Sequence, residues 1–238
     1  MSRFAARSHA PEMMDNLLCS GEVVCRTLRE LDLINQWLGG NRITLNILRR
    51  LLPGPDVPVT LADLGCGSGE MLRLIAKNFP QHNLQLTGID ANPHIISYAR
   101  QHTHTPQIRF ETLNIFDSSF AEQTFDIVLA TLFLHHFTHQ ELVTLLKQLK
   151  HQARRGIVIN DLHRHFLAYH SIRLLTRLFS GSDMVKYDAP LSVLRGFTFS
   201  EWQNILREAG IAHYSIKWRW AFRWEVVIYT HPPELSRQ

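Results

Sequence analysis

Three sets of side chains in this sequence are chemically competent. The first is the run Leu61-Ala-Asp-Leu-Gly-Cys-Gly-Ser-Gly69, where an apolar segment delivers Gly65, Gly67 and Gly69 into a turn. Glycines there permit positive φ and let a ligand approach the backbone with no Cβ in the way. The order is G-x-G-x-G, with Glu70 standing where a dinucleotide turn would have its last glycine, and no Gly-Lys-Ser/Thr follows as a P-loop requires. Asp63, just before the turn, repels phosphate and suits a ligand carrying an ammonium or a sulfonium. The second is Asp90, at the end of Thr87-Gly-Ile-Asp-Ala91 and 21 residues past Gly69. A carboxylate at such a strand end can accept hydrogen bonds from both hydroxyls of a ribose. The third is His135 and His136 in Phe125-Asp-Ile-Val-Leu-Ala-Thr-Leu-Phe-Leu-His-His-Phe137, with Asp161 26 residues beyond His135. Histidine is the usual proton acceptor near neutral pH, and methylation of a hydroxyl, for example, needs one. A Leu-His-His segment can equally cap the helix that follows it, and both readings stand at this point.

These residues need a scaffold that brings strand ends to one edge, and the hydrophobic pattern predicts one. Short apolar runs at Val59–Leu64, Leu84–Ile89, Ile108–Leu113, Phe125–Leu132 and Gly156–Asn160 read as strands. Helical patterns from Met71, from about Pro93 to Gln101 and from about Gln140 to Lys150 separate them. Strand and helix alternating at this spacing is the signature of right-handed crossovers and a parallel sheet, so the fold class is α/β. A helix over Ser200–Ala209 precedes two strands, His213–Trp218 and Trp224–Tyr229, close enough to pair as a hairpin. Ahead of the sheet, Ser20 is placed to cap a helix carrying Val24, Leu28, Leu31 and Leu38 on one face; Gly39-Gly40 ends it, and Ile43–Leu52 forms a second. Residues 1–55 therefore read as an N-terminal helical cap, closed by Pro53, Pro55 and Pro58, and residues 56–238 as the main domain. Within it, residues 162–196 break the alternation with a helix from about Phe166 to Phe179, after which Gly181, Asp183, Asp188 and Pro190 break the pattern up. An insertion there lies over the carboxyl edge of the sheet, where ligands bind in open α/β folds, and reads as a lid.

The glycine turn, the Asp90 strand end and the Phe125–Phe137 segment together closely resemble the class I S-adenosylmethionine-dependent methyltransferases, over roughly residues 59–161. The resemblance implies a Rossmann-like sheet of seven strands, mostly parallel with the last reversed, and S-adenosylmethionine along its carboxyl edge. By position it assigns Asp63, Gly65 and Gly67 to the methionine end and Asp90 to the ribose, with Cys66, Gly69 and Ala91 as further cofactor-binding residues. Asn114 stands where the family usually has an adenine-contacting Asp, Ile115 adds a contact to adenine, and Ala130 and Thr131 lie beside the methionine part. The pair His135 and Asp161 is similar to small-molecule O-methyltransferases in which such a His works with an Asp ending the next strand.

Composition limits the acceptor and the setting. Hydrophobic residues make up 45% and charged residues 19% of the 238 positions, enough apolar material for a sizeable core. The longest apolar stretch, Ile127–Leu134, is far short of the ~20 residues that span a bilayer. No apolar signal core follows Arg3 and Arg7, and three cysteines, Cys19, Cys25 and Cys66, suit a reducing compartment, so a cytoplasmic protein is expected. The net charge of +4 is divided as about +2, −3 and +5 over residues 1–52, 53–150 and 151–238, without the dense basic stripe of a duplex binder. The pairs His102/His104 and His163/His165 lack a cysteine or carboxylate cluster, so no metal site is expected. Trp202, Trp218, Trp220 and Trp224 either line an aromatic pocket or pack the last helix and hairpin. The Pro-Pro-aromatic motif of amino-group DNA methyltransferases and the paired-Glu loop of protein arginine methyltransferases are absent. The N-terminal run Arg26–Asn35 to Gly39-Gly40 is similar to bacterial methyltransferases of specialised metabolism. The expected reaction is methyl transfer to a small molecule, at a hydroxyl of a phenolic, quinone or polyketide-like metabolite. The alternatives are methylation of RNA or protein, and cofactor binding without transfer.

Overall fold

In the computed structural model, which describes residues 3–230, seven strands form a single sheet. They are β1 (Val59–Leu64), β2 (Leu84–Asp90), β3 (Ile108–Thr112), β4 (Phe125–Thr131), β5 (Ala153–Leu162), β6 (Tyr214–Arg219) and β7 (Arg223–Tyr229). Their order is β3-β2-β1-β4-β5-β7-β6; β7 pairs antiparallel with both neighbours, so six strands run one way and β7 the other. The outer ends of the two expected segments, residues 1–2 and 231–238, lie outside the described residues.

The parallel strands are buried on both faces, which is why they read as continuous apolar runs rather than alternating ones. One face carries α5 (Ser118–Ala121), α6 (His139–Gln152) and α9 (Phe199–Glu208), through Phe120, Leu142, Leu146, Trp202 and Leu206. The other carries α2 (Gly40–Leu51), α3 (Glu70–Asn78) and α4 (Pro93–Gln101), through Ile47, Leu48, Leu72, Ile75 and Ile96. The expected N-terminal cap thus divides: α2 belongs to the core of the sheet, whereas α1 (Glu22–Trp37) packs on α4 and reaches over the strand ends. Gly21, not Ser20, occupies the N-cap of α1, at φ +80°, and Gly40 starts α2 instead of ending α1.

The insertion holds two helices, α7 (Phe166–Phe179) and α8 (Asp183–Arg195), where the sequence suggests one and then a broken stretch. Ser182 caps α8, its Oγ accepting from the Val185 amide at 3.3 Å, and Pro190 lies inside the helix. Packing against α7, α1 and the Met13–Asp15 turn outweighs the lost amide donor of Pro190, as tertiary contacts commonly outweigh local propensity. Residues 3–16 run along α8 as a strap: the Ser8 amide donates to Leu194 O, and Asp188 accepts from the amides of Met13 and Met14 at 2.8 and 3.1 Å. Among the described residues no helix is long and apolar enough to cross a membrane.

Candidate active site

The glycine turn joins β1 to α3 by a left-handed path, with Gly65 at φ +64° and Gly67 at φ +53°. A Cβ on Gly65 would overlap the Phe133 ring, whereas one on Gly67 would meet only Leu28, at 3.8 Å, in open space. The turn therefore presents bare backbone toward the strand ends, and α1 and α2 close over it. Ser68 Oγ donates to both oxygens of Asp32 at 2.9 and 2.7 Å, and Gln36 and Asn41 donate to the two oxygens of Glu70 at 2.5 and 3.1 Å.

Asp63 and Asp90 end the adjacent strands β1 and β2, and neither forms an ion pair among the described residues. Burial, then the charge of Asp90, pushes the Asp63 carboxyl up to about 7. Burial also raises Asp90, partly offset by backbone amides, of which the Asn92 N–H donates to Oδ1 at 2.9 Å. Two carboxyls, Asp63 buried and Asp90 half-buried, held near each other without an ion-paired cation among the described residues, suit a cationic ligand, since an opposite charge favours their ionised form.

Across the strand ends, β4 runs into a left-handed Leu132 (φ +53°), whose amide donates to Asn160 O at 2.8 Å, and then into a single turn, Leu134–His136. This turn delivers His135 to the end of β5. His135 Nδ1 and Asp161 Oδ1 are 2.7 Å apart, and the His135 amide donates to Asp161 Oδ2 at 3.1 Å. Burial would raise the Asp161 carboxyl, but the charge and hydrogen bond of His135 outweigh it and hold Asp161 below its ordinary range. A carboxylate on Nδ1 fixes the tautomer and leaves Nε2 as the free nitrogen. The histidines do not cap α6; Thr138 does, its hydroxyl accepting from the Glu141 amide at 3.3 Å.

The strap completes this end of the site. Glu12 Oε1 lies 3.7 Å from His135 Nε2 with no hydrogen-bond partner among the described residues, and burial pushes Glu12 up to about 7. His136 Nδ1 and Asp15 Oδ1 are 2.6 Å apart, and Arg195 donates to Asp15 Oδ2 at 2.6 Å. Burial would raise Asp15, but these two hydrogen bonds overcome it and hold its carboxyl well below the usual range. Arg7 and Arg195 donate to the carbonyls of His135, His136 and Phe137, which ties the histidine turn to the strap and to α8. Glu12, His135 and His136 each offer a donor atom within 4.8 Å of the others, a set of the kind that can hold a metal ion and one that sequence spacing does not reveal. Arg195 Nε, 3.7 Å from Glu12 Oε1, already brings positive charge to that carboxylate.

A single cavity of about 790 Å³, in the upper part of the ~300–1,000 Å³ range of ligand sites, joins these parts. Asp63, Gly65, Cys66, Gly67, Asp90, Ala91, Asn114, Ile115, Thr131 and His135 line it. Gly69, Ala130 and Asp161 are not among its lining residues: Gly69 turns into α3 against Phe110, Ala130 lies in the core beneath, and Asp161 reaches the cavity through His135. Asn114 spends its side-chain oxygen on the Phe116 amide at 3.1 Å. Of the tryptophans, Trp202 and Trp224 pack the core and Trp220 lines the cavity. His163 and His165 pack on Trp224 and Phe222, and His102 stacks on Tyr98.

With this geometry in view, residues 61–156 match the sequence family described as "Methyltransferase domain". That segment, 96 of the 238 residues, holds the glycine turn, Asp90 and the histidine turn, and by it the chain is similar to methyltransferases. Among curated relatives, the malonyl-[acyl-carrier protein] O-methyltransferase of Bacillus cytotoxicus is 26% identical over 117 residues, 45% of this chain and 40% of that protein. The trans-aconitate 2-methyltransferase of Streptomyces avermitilis is 39% identical over 54 residues, 23% of this chain and 19% of that protein. The matches thus span less than half the length of these relatives. Among solved structures, human N-acetylserotonin methyltransferase in complex with S-adenosylmethionine superposes with a TM-score of 0.63 at 19% identity, covering 94% of this chain and 62% of that chain. The plantazolicin methyltransferase BpumL in complex with S-adenosylhomocysteine gives 0.58 at 19% identity, covering 87% and 99%. At these identities the superpositions bear on the fold.

Proposed function

We propose that this protein is a methyltransferase that moves the methyl group of S-adenosylmethionine to an oxygen of a small, largely apolar molecule, a hydroxyl on a phenolic, quinone or polyketide-like skeleton. The observation that carries the reading is that one cavity holds both the unpaired Asp63–Asp90 end over the glycine turn and the His135–Asp161 end under the strap. When bound, the cofactor supplies a methyl group made electrophilic by a sulfonium sulfur. Asp63 would meet its ammonium, Asp90 its ribose hydroxyls, and the backbone at Gly65 and Gly67 its methionine part; Ala91, Asn114, Ile115 and Thr131 would line the rest of its path. The unneutralised acids fit such a cation.

Transfer to a hydroxyl is an in-line displacement in which the acceptor oxygen loses its proton, so placement supplies much of the rate. His135 Nε2 would take that proton, and the imidazolium would lie between Asp161 and Glu12, two carboxyls suited to stabilising it. Apolar walls from Phe116, Phe133, Leu162, Leu175 and Trp220 favour an aromatic or polyketide body over a polar one. The test is turnover of a phenol, quinol and polyketide panel with S-adenosylmethionine, read by mass spectrometry for one added methyl group. His135→Ala should lower kcat by ~10²–10⁴-fold while leaving S-adenosylhomocysteine affinity within about threefold. Undiminished turnover in that variant would remove His135 from the chemistry.

A further inference from the structure

Arg223, the first residue of β7, is 2% exposed and lines the same cavity. Its Nη2 donates to Asn35 Oδ1 at 2.9 Å, while Nε and Nη1 are buried and hydrogen-bond to nothing among the described residues. The other buried arginines, Arg164 and Arg195, are satisfied, and so is the half-buried Arg7. Arg164 holds Glu201 with two bonds, at 2.9 and 2.8 Å; Arg195 has Asp15 and two turn carbonyls; Arg7 has three carbonyls. Among the described residues no carboxylate stands within ion-pair distance of Arg223, and the nearby Asp161 is engaged by His135 and the Leu162 amide. A guanidinium does not shed its proton in a protein, and a buried charge without a partner is strongly unfavourable. The chain even makes room for this one: a Cβ on Gly40 would sit 3.0 Å from the guanidinium carbon.

We infer that Arg223 is the clamp for a carboxylate on the methyl acceptor, so that the substrate is a hydroxy acid rather than a neutral phenol or quinone. The inference rests on the methyltransferase reading and adds to it the charge of the acceptor. A guanidinium matches a carboxylate with two parallel bonds along one edge, Nε with Nη2 or Nη1 with Nη2; Asn35 takes one of the two Nη2 hydrogens, so the other, with Nε or Nη1, leaves Arg223 one complete edge. Position separates the acceptor from the other carboxylate in play, that of the cofactor's methionine. In the order β1-β4-β5-β7, Arg223 stands two strands beyond β4, ~10 Å at the usual strand spacing. It pairs in register with Leu162, next to Asp161, on the acceptor side.

The test uses the whole chain saturated with S-adenosylhomocysteine and titrated with 4-hydroxybenzoate, and with its methyl ester as the neutral match. The proposal expects the acid to bind wild type at least tenfold more tightly than the ester, and that preference to vanish in Arg223→Met. Arg223→Lys, which keeps the charge and loses the fork, should retain part of the preference and serves if the Met variant fails to fold. Equal binding of acid and ester by wild type, or an unchanged preference in Arg223→Met, would overturn the proposal. So would a loss of S-adenosylhomocysteine affinity in Arg223→Met with unchanged affinity for 5′-methylthioadenosine, because the clamp would then hold the cofactor's own carboxylate. Failure of wild type to bind S-adenosylhomocysteine at all would strike the methyltransferase reading, and the acid-versus-ester comparison without it would still judge Arg223.

Discussion

Asp63 carries the electrostatics of the glycine-turn end of the cavity. Its carboxyl, raised to about 7 by burial and by Asp90, binds a proton more tightly in the folded chain than in the unfolded one. The stability associated with that proton is complete below the ordinary carboxylate range and is lost as pH rises through about 7. Glu12 and Asp32, also raised to about 7, act in the same direction. Melting of the ligand-free protein should therefore fall between pH 5 and pH 8, as thermal unfolding would read. A ligand bringing an ammonium to Asp63 needs the ionised form, so S-adenosylhomocysteine should bind more tightly at pH 8 than at pH 5.5; the reverse order would detach Asp63 from the ammonium. Asp63 and Asp90 stood out in the sequence because each lies at the end of an apolar strand, Asp63 beside a turn whose glycines announce it. Glu12, Arg195 and Arg223 did not, because their roles come from partners 60 to 190 positions away and no local pattern marks them.

The element that decides the site is the turn from β1 to α3. Gly65 and Gly67 both have left-handed backbone, but only Gly65 is pressed against a side chain, the Phe133 ring. Gly65→Ala should lower thermal stability clearly more than Gly67→Ala, by the overlap added to the ~1–2 kcal/mol that a left-handed conformation costs a non-glycine residue. Both should weaken S-adenosylhomocysteine binding, Gly67→Ala by intruding where the ligand approaches. Equal melting temperatures for the two variants would mean that the Phe133 contact yields freely. The strands matched their expected bounds closely, since segments buried on both faces are apolar along their length. Strand β5 began earlier than expected because Arg154 and Arg155 are solvent-facing and the hydrophobic pattern does not mark them. Helix α8 escaped the sequence because Pro190 and Asp188 read as breakers, while burial and the Ser182 cap, which are tertiary and local facts respectively, make it a helix.

Taken as a whole, the molecule is a sheet whose carboxyl edge is roofed by pieces from both ends of the chain. The strap of residues 3–16 is held on α8 through Asp188, and it brings Glu12 and Asp15 to the histidine turn. Asp188→Ala should loosen the strap: hydrogen exchange over residues 8–16 should speed up while the amides of β1 and β4 stay protected. The KM for the acceptor should rise with little change in cofactor affinity. Unaltered exchange would show that other contacts hold the strap. The fold class was legible in the order of elements and the reversed last strand was what the family resemblance implied; a lid from the insertion was expected, whereas the strap was not, because its contacts join the chain's first residues to that insertion. All of this presupposes that the glycine turn and the acid pair receive the cofactor. Titration calorimetry of S-adenosylmethionine and S-adenosylhomocysteine into the wild-type protein decides that point. Micromolar binding of both is expected, weakened ~10–100-fold by Asp90→Ala through lost charge-assisted hydrogen bonds. Absence of binding, or full affinity in Asp90→Ala, would contradict the account.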